Sequence, residues 1–194
     1  MPMKRREFLI WTAFGGATLL LPFRRAWPYS QSPTGLRKFI QPLPGLGPTG
    51  IPVATPNTSA FPGTDFYRIS LGQFTQQLHP DLPATTLWGY ADTTFGHKPN
   101  RRYLGGVIVA RRGRPVRVTV TNELPPTHPL PFDTTIPDTN GPQNRATIHL
   151  HGGLVPWTSD GGPFSWFTPD GAHGASFLNP GPKPGQASYY YPND

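Results

Sequence analysis

The sequence has no cysteine, so disulfides, thiolate zinc sites and cysteine nucleophiles are excluded within its 194 residues. A blue-copper electron-transfer site is excluded with them, because such a site is built on a Cys thiolate. Charge is sparse too: Asp, Glu, Lys and Arg make up 14% of the chain, while 27 prolines and 22 glycines interrupt it. No long apolar run follows residue 23. This balance argues against a helical bundle and for strands joined by many turns and irregular loops. The 12 Phe, 7 Tyr and 5 Trp are too many for a fully disordered chain. The length allows one ordinary domain with its own core, not two large ones.

The formal charge of +7 raises nucleic acid as a partner, and its placement argues against one. Residues 1–27 hold Lys4, Arg5, Arg6, Arg24 and Arg25 against Glu7, which accounts for +4. The other 167 residues carry 12 basic and 9 acidic side chains. One local cluster remains, Arg111, Arg112, Arg114 and Arg117. It has a glycine inside it and no interleaved aromatics, which reads as a solvated turn rather than a phosphate-tracking groove. No nucleic-acid partner is expected.

Three regions follow along the chain. Residues 1–27 read as a signal peptide: a basic start, then an uncharged stretch over residues 10–23 that Gly15 and Gly16 break. The pair Arg5-Arg6 ahead of Phe8-Leu9 looks like a twin-arginine signal, a route for already folded proteins. The expected location is periplasmic or extracellular, with the membrane met only during export. Residues 28–63 carry Pro28, Pro33, Pro42, Pro44, Pro48, Pro52, Pro56 and Pro62, a density that blocks helix and predicts an extended, irregular segment on the surface or as a linker. Residues 64–194 form the domain. There Tyr67, Ile69 and Leu71 alternate with Arg68, Ser70 and Gly72, as in a half-buried strand. Leu87 to Tyr90 is a second candidate. Val107 and Val109, then Val116, Val118 and Val120, predict a hairpin with Arg111 to Arg114 at its tip. Residues 146–151 and 188–191 complete the set, which predicts an all-β fold, a Greek-key β-sandwich or barrel.

The chemistry concentrates in Thr147-Ile148-His149-Leu150-His151-Gly152-Gly153. On a strand His149 and His151 share one face, while Ile148 and Leu150 turn to the core. The imidazoles then either converge on one ion or serve two neighbouring ions. Gly152 and Gly153 remove bulk where a ligand or another backbone must come close. Imidazole suits copper, zinc, iron and nickel alike, so the pair alone does not name the metal.

Further blocks surround it: Gln77-Leu78-His79, Leu82-Pro83, Leu87-Trp88-Gly89-Tyr90, Leu124-Pro125-Pro126-Thr127-His128, Leu130-Pro131, Ser159-Asp160-Gly161 and Trp166-Phe167. Together with His149-Leu150-His151-Gly152-Gly153 they resemble, in order, the first cupredoxin domain of the multicopper oxidases, the bacterial laccase-like spore-coat and bilirubin oxidases above all. The resemblance covers about residues 65–194 and implies a cupredoxin-like fold. It implies copper as cofactor, with His149 a type 2 ligand and His151 a type 3 ligand. Dioxygen would be reduced to water with electrons from an unidentified reducing substrate. Asp160 matches an acidic residue that supplies protons or orients the ligands, a role a carboxylate near metal and solvent can fill. Its simpler role is to cap the turn before Gly161-Gly162. His79 and His128 read as structural hydrogen-bonding groups, His173 as an exposed loop residue, and His97 falls where the pattern lapses.

Two departures stand out. Leu104-Gly105-Gly106 replaces the family's Pro-Gly-Pro, and the sequence ends at Tyr191-Pro192-Asn193-Asp194, where the family continues into a second His-x-His motif. The expectation is therefore an amino-terminal part of an exported multicopper oxidase, incomplete at its C-terminus and inactive alone, with no type 1 centre in this chain. The alternatives are a non-catalytic exported cupredoxin-like scaffold and a simple copper-binding module.

Overall fold

Alternating apolar residues build four strands: β1 (Asp65–Gln76), β2 (Thr85–Asp92), β3 (Val116–Glu123) and β4 (Gln186–Tyr191). They come from a computed structural model that describes residues 35–136 and 139–194. The leader expected over residues 1–27 and the proline-rich segment up to residue 34 lie outside the described residues. One open mixed sheet runs in the order β2-β1-β3-β4. β1 is antiparallel to β2 and parallel to β3, and β4 is antiparallel to β3.

Register sorts the side chains. Tyr67 aligns with Val118 and Ile69 with Val120, while Val118 and Val120 align with Tyr189 and Ala187. Side chains alternate across a strand, so these residues share one face with Leu71 and Val116, and all of them are buried. The other face carries Phe66, Arg68, Ser70, Arg117, Thr119 and Ser188. Loops close the core over the apolar face through Ala54, Leu124, Ala146 and Phe167, with Ile108, Ile148 and Phe177 packed against them. The fold is all-β, consistent with a cupredoxin-like sandwich. Among the described residues the one helical element is the 3-10 turn Trp157–Ser159.

The hairpin expected between Val107 and Val120 does not form. Val107 makes a single parallel bridge to Val53, because β1 and β4 occupy both edges of β3. A strand has only two hydrogen-bonding edges, and the longer ladders take them. The expected turn exists: the Arg114 N–H donates to the Arg111 carbonyl at 3.1 Å, and Gly113 has φ 72°. It docks rather than projects. Arg114 Nε donates to Asp65 Oδ1 at 2.7 Å, and the Gly113 N–H reaches the Asn193 carbonyl at 2.7 Å.

The described part of the proline-rich segment has only isolated bridges, as its composition predicts. It is more than a linker, however. Ala54 enters the core, and the Thr55 N–H donates to Asp92 Oδ2 at 2.8 Å.

Candidate metal-binding site

His149 and His151 leave a stretch that belongs to no ladder. Ala146 makes one antiparallel bridge with Phe167, residues 147–150 join no strand, and a turn begins at His151. The strand expected over residues 146–151 is therefore absent. The free edge of β4 is already taken, since the Ser188 N–H donates to Asn179 and the Gly181 N–H to Gln186. Only Ile148 of the expected apolar pair packs against the core; Leu150 is 41% exposed.

The imidazoles stay together all the same. Their ring centres lie 6.1 Å apart with planes 41° from parallel, and both residues are exposed. With metal–nitrogen bonds of about 2 Å, rings at this distance meet one ion only from opposite sides, or each serve their own. Both arrangements foreseen from the sequence remain open to them.

Hydrogen bonds to this stretch and to the turn beside it stand in place of a ladder, the Thr147 hydroxyl on the Gly162 carbonyl at 3.4 Å among them. The buried Tyr189 hydroxyl accepts from the Ile148 N–H at 3.3 Å. The Tyr190 N–H donates to the buried Ser159 hydroxyl at 2.9 Å, which ties the 3-10 turn to β4. Asp160 follows that turn, and its main-chain carbonyl accepts from His149 Nδ1 at 2.5 Å. A carbonyl can only accept, so Nδ1 carries the proton and the Nε2 lone pair is left for a metal. The Asp160 carboxylate is half-exposed, with Oδ1 3.5 Å from the same Nδ1. Asp160 thus ends the turn and orients His149 at once.

The clearance expected from Gly152 and Gly153 sits elsewhere. A Cβ on Gly152 would meet nothing within 4 Å; its φ of 77° marks a turn residue. A Cβ on Gly153 would meet the Leu150 side chain at 2.7 Å. The tight approach is at Gly161, where φ is 74° and a Cβ would fall 1.9 Å from the Ile148 carbonyl oxygen. Only glycine lets the Asp160 turn lie against the histidine segment.

Burial raises the Tyr189 hydroxyl above the ordinary phenol value and pushes that of Tyr191 well above it; the bond to Ile148 partly offsets this for Tyr189. The remaining histidines take the parts read for them. His79 Nδ1 accepts from the Asp81 N–H at 3.1 Å, and His128 Nδ1 bonds to Leu130 while its ring stands edge-on to Trp88 at 4.6 Å. His173 is exposed in a loop. Among the described residues no group of three or more His, Cys, Asp or Glu is placed to hold a metal ion. Tyr189, Ser159 and Gly161 went unread as site residues. The one signal for Tyr189 is general: a buried tyrosine hydroxyl needs a partner.

Known proteins resemble this chain. It is 35% identical over 162 residues to a laccase of Bacillus subtilis (strain 168), a match covering 81% of this chain and 28% of that protein. A laccase of Haloferax volcanii is 35% identical over 184 residues, covering 89% of this chain and 29% of the laccase. Multicopper oxidase LPR1 homolog 1 of Oryza sativa subsp. japonica is 36% identical over 131 residues, or 65% and 21% of the two chains. The chain spans less than a third of the length of these curated relatives. No family model matches it.

Proposed function

We propose a function from one premise: this chain belongs to the multicopper oxidase family. Membership makes it part of an oxidoreductase lineage and copper the implied metal. His149 and His151 then supply copper ligands, His149 through Nε2 to a type 2 centre and His151 to a type 3 centre. Within the larger enzyme these centres serve the reduction of dioxygen to water, with electrons from a reducing substrate. One observation carries the reading, the bond from His149 Nδ1 to the Asp160 carbonyl. Outer partners of this kind set the tautomer of a ligating histidine and raise its basicity.

The residues present fit a copper ion. The two imidazoles are exposed and adjacent, neither is consumed in the core, and imidazole nitrogen is a donor that suits copper. Copper bound there supplies the one-electron chemistry that oxygen reduction requires. The protein's own part is to hold and to deliver. Tyr189 and Ser159 fix the two backbones, Asp160 orients His149, and the Asp160 carboxylate, facing solvent, can take up and release a proton for a reaction that consumes protons. The leader at residues 1–27, with Arg5-Arg6, would export the folded protein to the periplasm or beyond.

Copper titration followed by electron paramagnetic resonance tests this. The chain should bind Cu(II) with nitrogen hyperfine structure, and His149→Ala should remove most of that signal. A double variant, His149→Ala with His151→Ala, that binds copper as wild type does would sink the proposal and favour a non-catalytic scaffold. Phenol oxidation by the same sample should be absent, since the chain has no cysteine for a type 1 centre.

A further inference from the structure

The polar face of the sheet holds a cleft of about 580 Å³. Its floor is Thr119 and Ser188, whose hydroxyls lie 3.3 Å apart on β3 and β4. One wall is Phe61 with Phe66, edge to face with ring centres 5.1 Å apart. The Phe61 loop is fixed from behind by Asn57, whose side-chain oxygen accepts from the Ser59 and Ala60 N–H groups at 3.0 Å. The facing wall is Pro182-Lys183, in a loop closed by the Gly181 N–H on the Gln186 carbonyl at 2.8 Å. Flanking prolines stiffen that loop, so both walls are formed before any ligand arrives.

Three cations line the cleft, Arg68, Arg117 and Lys183, and no carboxylate does. Among the described residues none of the three forms an ion pair. Arg117 lies over the rings of Phe61 and Tyr190, at 5.1 and 5.3 Å, and Arg68 over Phe66 at 5.5 Å. A guanidinium resting on an aromatic face keeps its N–H edge for paired hydrogen bonds to a carboxylate. Gathering like charges without a counter-ion is unfavourable, and a bound anion relieves it. Phosphate would answer the charge but leave the phenyl wall unused.

We propose that this cleft binds a small aromatic carboxylate, its charge among Arg68, Arg117 and Lys183 and its ring against Phe61 and Phe66. His149, His151 and Asp160 do not line the cleft, so the inference stands apart from the copper site. The test is an NMR titration of the full chain, without copper, using benzoate, acetate, benzamide and inorganic phosphate. Benzoate should shift the Arg68, Arg117 and Thr119 amides saturably. Acetate and phosphate lack the ring and benzamide the charge, so each should bind at least about tenfold more weakly. Arg117→Gln and Lys183→Gln, both at exposed positions, should weaken benzoate by about tenfold at an unchanged melting temperature. No saturable benzoate shift, equal binding of phosphate or benzamide, or full benzoate affinity in both variants would each overturn it.

Discussion

β3 and the histidine segment are held by different forces. β3 pairs along its whole length with β1 on one edge and from Val116 to Thr121 with β4 on the other, so its position depends on backbone groups that every residue carries. Residues 147–151 depend on a tyrosine hydroxyl, a threonine hydroxyl, one carbonyl and one glycine, with a serine hydroxyl fixing the turn beside them. The sheet is therefore redundant and the site is not. Side-chain anchoring leaves the imidazoles exposed, which a buried ladder strand would not. It also makes the site vulnerable to single substitutions that leave the sheet standing.

The largest effect should fall on the sheet. Ile69→Ala, in the middle of the buried face, should cost about 2–5 kcal/mol in urea unfolding. The protein that remains folded should bind copper as before; a parallel loss of copper affinity would show that the two regions are not separable. Gly161→Ala reverses the pattern. It should cost about 1–3 kcal/mol, because an L residue at φ 74° is strained and its Cβ collides with the Ile148 carbonyl. Copper affinity should drop by at least about tenfold as His149 loses its partner, on the scale set for outer metal-site contacts. Wild-type copper binding by this variant would break the account of the site.

The smallest effect concerns the tyrosines of β4 that join the regions. Burial raises the folded pKa values of Tyr189 and Tyr191 above the unfolded value near 10. Their contribution is therefore fully present below about pH 10 and is lost as pH rises, because the unfolded chain releases these protons first. Stability should be level from pH 7 to 9, then fall by about 1 kcal/mol between pH 10 and 11. Urea midpoints across that range check this, and Tyr189→Phe with Tyr191→Phe should reduce the slope. A stability that climbs at alkaline pH would contradict the assigned burial.

Period-two alternation made β1 and β3 legible, because a half-buried strand must turn every second side chain inward. The partners were not legible. Val107 and Val120 looked like neighbours because they are close in sequence, but β3 instead pairs with β1, across the intervening β2. Residues 146–151 alternated as a strand should and formed none, since the pattern records which side chains face inward and not whether a backbone partner is free. The same gap hid Gly161. Its neighbour across the close approach, Ile148, is distant along the chain, so only the fold shows what a Cβ would strike.

Residue type alone determined the chemistry available here: two imidazoles one residue apart, a nearby carboxylate, and no thiolate anywhere in the chain. Donor chemistry belongs to the side chain and needs no fold to define it. Tertiary structure decided which nitrogen of His149 is free. A tautomer is chosen by the group that the other nitrogen meets, and that group is a main-chain carbonyl eleven residues further along, brought there by a 3-10 turn and a glycine.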